Sequence, residues 1–177
     1  MKEFEEIYRE IAPGLMNYLV ASGSPYAVAC DILQETFLRL WKRRDELEDN
    51  LAQVRGLVYT IARNYRIDLL RKGKREVLQE EITDETVQSG GDAASPLSFS
   101  RPVEVEDENA ALRRKLNAAL DQLPPTLREA FTLFQLGELS IREIAWQTHV
   151  SESNVKVRIH RAKEKLREIL KGERVKG

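Results

Sequence analysis

The sequence predicts an all-α protein, two small helical domains joined by a flexible acidic linker. Three observations carry that reading. Apolar residues recur at helical spacing through most of the chain, and no convincing run of period-2 alternation is present. The periodicity stops after Arg75 and resumes at Ala110. Charge is partitioned at the same places: residues 1–75 hold 13 basic and 11 acidic side chains, residues 76–110 hold 1 and 10, and residues 111–177 hold 14 and 8. The net charge of −1 over 177 residues thus conceals two basic segments around an acidic one, and leaves room for a polyanionic partner. The division expected is a first domain over 1–75, a linker over 76–108 and a second domain over 109–177.

Phe4, Ile7, Tyr8, Ile11, Leu15, Tyr18 and Leu19 form a first apolar stripe, which Pro13 is expected to split or kink. Gly23-Ser24-Pro25 resets the chain, with Ser24 suited to an N-cap and Pro25 to the first helical position. The helix that follows, to about Trp41, buries Val28, Ile32, Leu33, Phe37 and Leu40. After a charged loop from Lys42 to Asn50, a third helix over about 54–72 buries Val58, Ile61, Ala62, Tyr65 and Leu69. The segment Ser89-Gly90-Gly91-Asp92-Ala93-Ala94-Ser95-Pro96 is rich in turn formers and poor in apolar residues, as befits a tether. Beyond it Leu112, Leu116, Ala119, Leu120 and Leu123 restore the helical period. Pro124-Pro125 ends that helix, and Thr126 is placed to cap the next one, through Leu136.

Composition removes several classes of function. Cys30 is the only cysteine, so there is no internal disulfide and no cysteine-rich zinc site; packing is its ordinary use. With only His149 and His160 to add, no three- or four-ligand metal cluster is suggested, and no cofactor is expected. No apolar run approaches the ~20 residues of a membrane span. The acidic amino terminus lacks a signal peptide's apolar stretch, so a cytoplasmic protein without membrane insertion of its own is expected.

The sharpest local signal lies over 139–170. Ser140-Ile141-Arg142-Glu143 has the form of a capping box opening a short helix with Ile144 and Ala145 inward. Thr148-His149-Val150 makes a tight turn, in which His149 is structural, and Ser151 is placed to cap a longer helix. Helix, short turn and longer helix spell helix-turn-helix. On the long helix Val155, Ile159, Ala162, Leu166 and Leu170 share one stripe; Ser153, Val157, His160, Arg161 and Glu164 fall opposite, flanked by Lys156 and Arg158. That face offers donors for guanine edges or phosphates and a Val for a thymine methyl. A solvated basic helix is the plainer alternative; the capped turn before it favours DNA. His160 reads as a base or phosphate contact, since no nucleophile or carboxylate constellation partners it.

In the third helix Thr60, Arg63, Asn64, Ile67 and Arg71 lie away from the core, and between Arg63 and Arg75 six basic residues meet one acidic residue, Asp68. Cations near a helix C-terminus are favoured by the dipole, but Asn64 is a mediocre helix former whose amide suits a base edge. The preceding helix, Asp31–Trp41, carries more apolar residues than one stripe absorbs. Leu38 and Trp41 fit either added core packing or contact with a partner protein.

Asp31–Trp41 (DILQETFLRLW), Arg55–Arg71 (RGLVYTIARNYRIDLLR), Leu123–Arg128 (LPPTLR) and Leu139–Leu170 together resemble the extracytoplasmic-function (group 4) bacterial sigma factors, in that family's order and spacing. The resemblance implies a transcription initiation factor, not an enzyme, with sigma region 2 first and a helix-turn-helix sigma region 4 second. It would bind core RNA polymerase and direct it to promoters. Asp31, Gln34, Glu35, Phe37, Arg39 and Trp41 would dock on the β′ clamp helices, and the apolar surface of the second domain on the β flap. Arg63, Asn64, Arg66, Arg71 and Lys72 would serve the melted −10 element, and the loop Lys42–Gln53 would hold a flipped base. Ser153, Lys156, Val157, Arg158, His160 and Arg161 would read the −35 element. An anti-sigma factor is the further partner implied. The sequence departs from the family at Phe134, where relatives often carry Arg, at Gln135-Leu136-Gly137-Glu138, where the usual Gly is shifted by one, and at Val157, in place of a small hydroxyl residue. These departures bear on the −35 sequence preferred.

Two other classes compete. A helix-turn-helix repressor or activator acting outside the polymerase would usually dimerise on a palindrome, and no dimerisation element is evident. A nucleic-acid hydrolase would need a carboxylate cluster for metal or a phosphate-binding Gly-rich loop; Asp31, Glu35 and Asp68 are scattered and no such loop occurs.

Overall fold

The computed structural model describes residues 3–82 and 108–175, and every regular element among them is helical. The order is α1 (Phe4–Ala21), α2 (Tyr26–Lys42), a 3₁₀ turn (Arg44–Glu46), α3 (Leu51–Ile82), α4 (Glu108–Asp121), α5 (Pro125–Gln135), α6 (Ile141–Thr148) and α7 (Glu152–Val175). The linker expected over 76–108 lies outside the described residues from 83 to 107. Its first residues instead continue α3, which runs to Ile82.

Local chemistry explains most element ends, and corrects three expectations. Pro13 neither splits nor ends α1: it lies inside one continuous helix whose Ile11, Ala12 and Leu15 are buried on both sides of it. Burial of that stripe outweighs the one backbone bond proline removes. Ser24 does not cap α2. Pro25 takes the cap position, its carbonyl accepting from Ala29 N at 2.8 Å, and the Ser24 hydroxyl accepts from Arg66 Nε at 3.3 Å instead. At α5 the cap moves the other way, by two residues: Pro124 is the cap and Pro125 the first helical residue, so Thr126 lies inside the helix and does not cap it. Two expected core residues are exposed, Val28 and Leu112, while Val54 and Tyr59 join the core. Asn50 caps α3, its Oδ1 accepting from Ala52 N and Gln53 N.

The two halves do not stand apart. One apolar cluster joins Ile7, Leu15, Tyr18, Leu40 and Val58 of the first half to Leu133, Leu139, Ile144, Val155 and Ile159 of the second. The second cluster, built on α4, α5 and α7 with Leu120, Leu123, Ala162 and Leu166, takes in Ala21 from the end of α1. Gly137 permits the closest approach. A Cβ there would lie 3.0 Å from Cε1 of Tyr59 and 2.6 Å from the Leu133 carbonyl oxygen.

The seam contains buried phenols. Burial, aided by the charge of Glu129, pushes the Tyr18 hydroxyl up to about 12, and burial raises Tyr59 as well. A phenol whose folded pKa is raised stabilises the fold fully below the unfolded value near 10, and that stability is lost as pH climbs toward the folded value. Urea midpoints should therefore fall between pH 10 and 12. Tyr18→Phe should flatten the decline; an unchanged slope in that variant would contradict the role given to Tyr18.

Candidate nucleic-acid and protein interfaces

The helix-turn-helix forms as the sequence predicts, because its signals are local. Ser140 Oγ accepts from Glu143 N at 3.1 Å, and Glu143 Oε2 accepts from Ser140 N at 2.7 Å, a complete capping box at the start of α6. His149 ends α6 in the left-handed conformation, with φ 57°, which turns the chain within three residues into α7. Ser151 Oγ then accepts from Asn154 N at 3.1 Å. Ile144 and Ala145 of α6, with Val155, Ile159, Ala162 and Leu166 of α7, anchor the pair. The opposite side of α7 presents Ser153, Lys156, Val157, His160 and Arg161 to solvent in one stripe. His160 Nε2 lies 3.1 Å from Glu164 Oε1 one turn on, which orients the ring along the helix. Arg158 alone of the residues expected on this face is turned off it and half-buried. Phe134, where the family often has Arg, carries the Lys163 ammonium over its ring at 5.5 Å.

On α2, Asp31, Gln34, Leu38 and Trp41 are exposed along one side at spacings of three and four residues, with Glu35 half-buried beside them. Glu35 accepts from Arg39 Nε at 2.7 Å, and the Arg39 guanidinium lies 4.9 Å over the ring of Tyr65. Trp41 is packed edge-on by Phe4 and covered by Arg44 at 4.4 Å, which fixes its orientation while leaving it 46% exposed. Phe37 differs from the others. It is buried against the rings of Phe4 and Tyr8, so it supports this face and presents nothing to a partner.

On α3, Asn64, Arg71 and Lys72 are exposed, but two arginines are engaged elsewhere. Arg66 donates to the Ser22 carbonyl oxygen at 2.7 Å and to Ser24, tying α3 to the α1–α2 turn. Arg63 donates to Glu129 and to the Gln147 carbonyl oxygen, both in the other half. Between the start of α1, the end of α2 and the 44–50 loop lies a cavity of about 850 Å³, with Phe4, Ile7, Tyr8, Trp41, Leu47 and Val54 on its apolar walls and Asp45 and Glu48 at its edge. The loop is legible in the charge pattern of residues 42–50, but the aromatic wall supplied by α1 is not. Trp146, 71% exposed on α6 beside Thr60 and Asn64, was also not singled out; a tryptophan on the polar side of an amphipathic helix was the available signal. Among the described residues no group of His, Cys, Asp or Glu is arranged to hold a metal ion. Nor is any described helix long and apolar enough to cross a membrane.

Comparison with known proteins accounts for this arrangement. Family models for sigma-70 region 2 and sigma-70 region 4 match residues 7–76 and 113–166. CarQ, an RNA polymerase sigma factor of Myxococcus xanthus, is 34% identical over 94% of this chain and 88% of its own. The ECF sigma factor RpoE of Cereibacter sphaeroides is 30% identical over 93% and 84%. SigM of Bacillus subtilis is 29% identical over 92% of each chain. The structure of the sigma factor RpoE in complex with the anti-sigma factor NepR from Bartonella quintana matches with a TM-score of 0.69 at 25% identity, over 97% of this chain and 98% of that one. The two regions, in this order on an all-helical frame, define an initiation factor of the sigma-70 type. The chain belongs to the extracytoplasmic-function sigma factors, which direct RNA polymerase to promoters.

The capping box opens α6, the helix that precedes and packs on α7. Ser140→Ala should cost about 1 kcal/mol of stability and leave the apolar anchors in place. Thermal denaturation checks this: a loss of under ~0.3 kcal/mol would mean the box contributes little beyond what Ile144 and Val155 already fix.

Proposed function

We propose that separate surfaces of the chain divide the work of initiation. The stripe Asp31, Gln34, Glu35, Leu38 and Trp41, with Arg39 alongside, docks on the β′ clamp helices, and Phe37 stiffens it from beneath. The apolar surface of the second domain docks on the β flap. Asn64, with Arg63, Arg66, Arg71 and Lys72, serves the melted −10 strand. The cavity beside Trp41 receives a base flipped from that strand. Aromatic walls suit stacking, and the Asp45 and Glu48 carboxylates can accept from an exocyclic amino group while keeping phosphates outside. Ser153, Lys156, Val157, His160 and Arg161 enter the major groove at the −35 element, where Arg161 and Lys156 suit guanine and Val157 a thymine methyl. Arg158 contributes from the flank, toward phosphate.

The observation that carries this reading is the one-sided exposed stripe of α7, reached from the capped helix α6 through the left-handed turn at His149, in a chain with a second polar face on α3. One sigma-70 region supports each face. A repressor acting alone would leave the α2 stripe without a use. The related RpoE was solved with an anti-sigma factor, and an anti-sigma partner is proposed here too. The protein is read as non-catalytic and as working in the cytoplasm, where its polymerase is.

Run-off transcription with sigma-free core polymerase, this protein and fragmented genomic DNA tests the reading. Discrete start sites sharing −35 and −10 elements are expected. Failure to bind core at all would return the repressor reading. Arg161→Ala should weaken one promoter class by about 1–3 kcal/mol per lost base contact. An equal loss on random DNA would assign Arg161 to phosphate.

A further inference from the structure

The exposed stripe of α7 is bordered by cations that it does not include. At 3.6 residues per turn, Lys163 lies about 90° round the helix from the centre of the stripe formed by Ser153, Lys156, Val157, His160 and Arg161. Along the axis it is within one turn of His160. Arg158 stands on the other flank, more than a quarter turn from the same centre. Both flanking residues are half-buried, while the stripe between them is exposed.

Lys163 is held in place by a residue of another helix. Its ammonium lies 5.5 Å from the centroid of the Phe134 ring, at the end of α5. Phe134 is half-buried against the apolar cluster that contains Leu133 and Leu139, which gives the ring a fixed place. Glu164, the nearest carboxylate in sequence, is engaged by His160. An aromatic face attracts a cation through its quadrupole and leaves the charge uncancelled, as a carboxylate would not. The ammonium carries three N–H donors, and those turned away from the ring remain for an anion. A lysine stem is otherwise among the most costly side chains to immobilise, so the ring meets that cost before any ligand arrives.

We propose that Phe134 and Lys163 form a phosphate clamp at the edge of the −35 surface, with Lys163 as the contact and Phe134 as its positioning residue. The proposal rests on the reading of α7 given above. A helix with its side chains is about 10–12 Å across and the major groove about 12 Å wide. A residue a quarter turn from the floor of the groove therefore faces a phosphate wall and not a base edge. Lys163 sets the register of α7 against the duplex and carries no sequence information of its own. Base choice stays with the exposed stripe, which the clamp holds at a constant depth and angle.

The test uses holoenzyme and fluorescein-labelled duplexes carrying one promoter mapped by the run-off assay above, with single-base changes in its −35 element. Affinity is measured as a function of salt concentration. Lys163→Gln should weaken every duplex by the same factor, roughly five- to tenfold at about 0.1 M salt. It should also reduce the slope of log affinity against log salt by about 0.9. Lys163→Arg should retain the slope. Phe134→Leu should weaken binding roughly threefold with the slope unchanged, and should add nothing to Lys163→Gln. Lys171→Gln, the same charge change about 12 Å further along α7, should match the wild type. An unchanged slope in Lys163→Gln would overturn the proposal, as would a loss that varies with the −35 base. The same threefold loss from Phe134→Leu in the Lys163→Gln background would overturn the positioning role of the ring. Arg161→Ala separates the proposal from its premise. A base-dependent loss there beside a silent Lys163→Gln rejects the clamp and keeps the reading of α7. No loss from either Arg161→Ala or Lys156→Ala removes that reading and the clamp with it.

Discussion

A guanidinium between a carboxylate and a carbonyl from the other half of the chain is the interaction on which the packed molecule turns. Arg63 is separated from Glu129 by 66 residues of sequence, and the bond between them spans the acidic linker. An arginine this enclosed must be paired, since an unpaired charge away from water is costly. Inside the packed chain Glu129 and the Gln147 carbonyl supply that pairing. On promoter DNA a phosphate or base edge would.

Around that ion pair the seam is apolar, with Tyr18, Tyr59, Leu133 and Ile144 buried together. Apolar burial gives the packed state its cohesion, and the charged contacts give it register. Region 2 keeps its α1–α2–α3 packing through Leu19, Ile32, Leu40 and Val58, and region 4 keeps Leu120, Ala162 and Leu166.

Legibility in the sequence follows the range of the interactions. The capping box at Ser140 and Glu143, the turn at His149 and the two stripes of α7 are encoded within a few residues of one another, and all could be read directly. The starts of α2 and α5 could be placed only to within one or two residues, because serine or threonine beside a proline offers more than one plausible cap and backbone geometry chooses between them. Contacts across the linker left no periodic trace. Gly137 against Tyr59, Glu129 against Arg63, and Ala21 within the second core each join residues from opposite halves. Arg63 and Arg66 looked like free cations for the same reason, whereas Phe37, counted in the core from its helical period, is buried as that period requires. The cavity beside Trp41 needed the start of α1 folded against the 44–50 loop before its aromatic wall existed.

The central claim is that the regions share a core when free and separate on the polymerase. The most direct measurement is the single-molecule energy-transfer distance between dyes on α1 and α7, at positions 9 and 167, both exposed, in a Cys30→Ser background. The free protein should give one short distance. Adding core polymerase and promoter DNA should replace it with a distance several tens of ångströms longer, as reach between the two promoter elements demands. An unchanged short distance in an initiating complex would contradict the account, as would a long distance in the free chain.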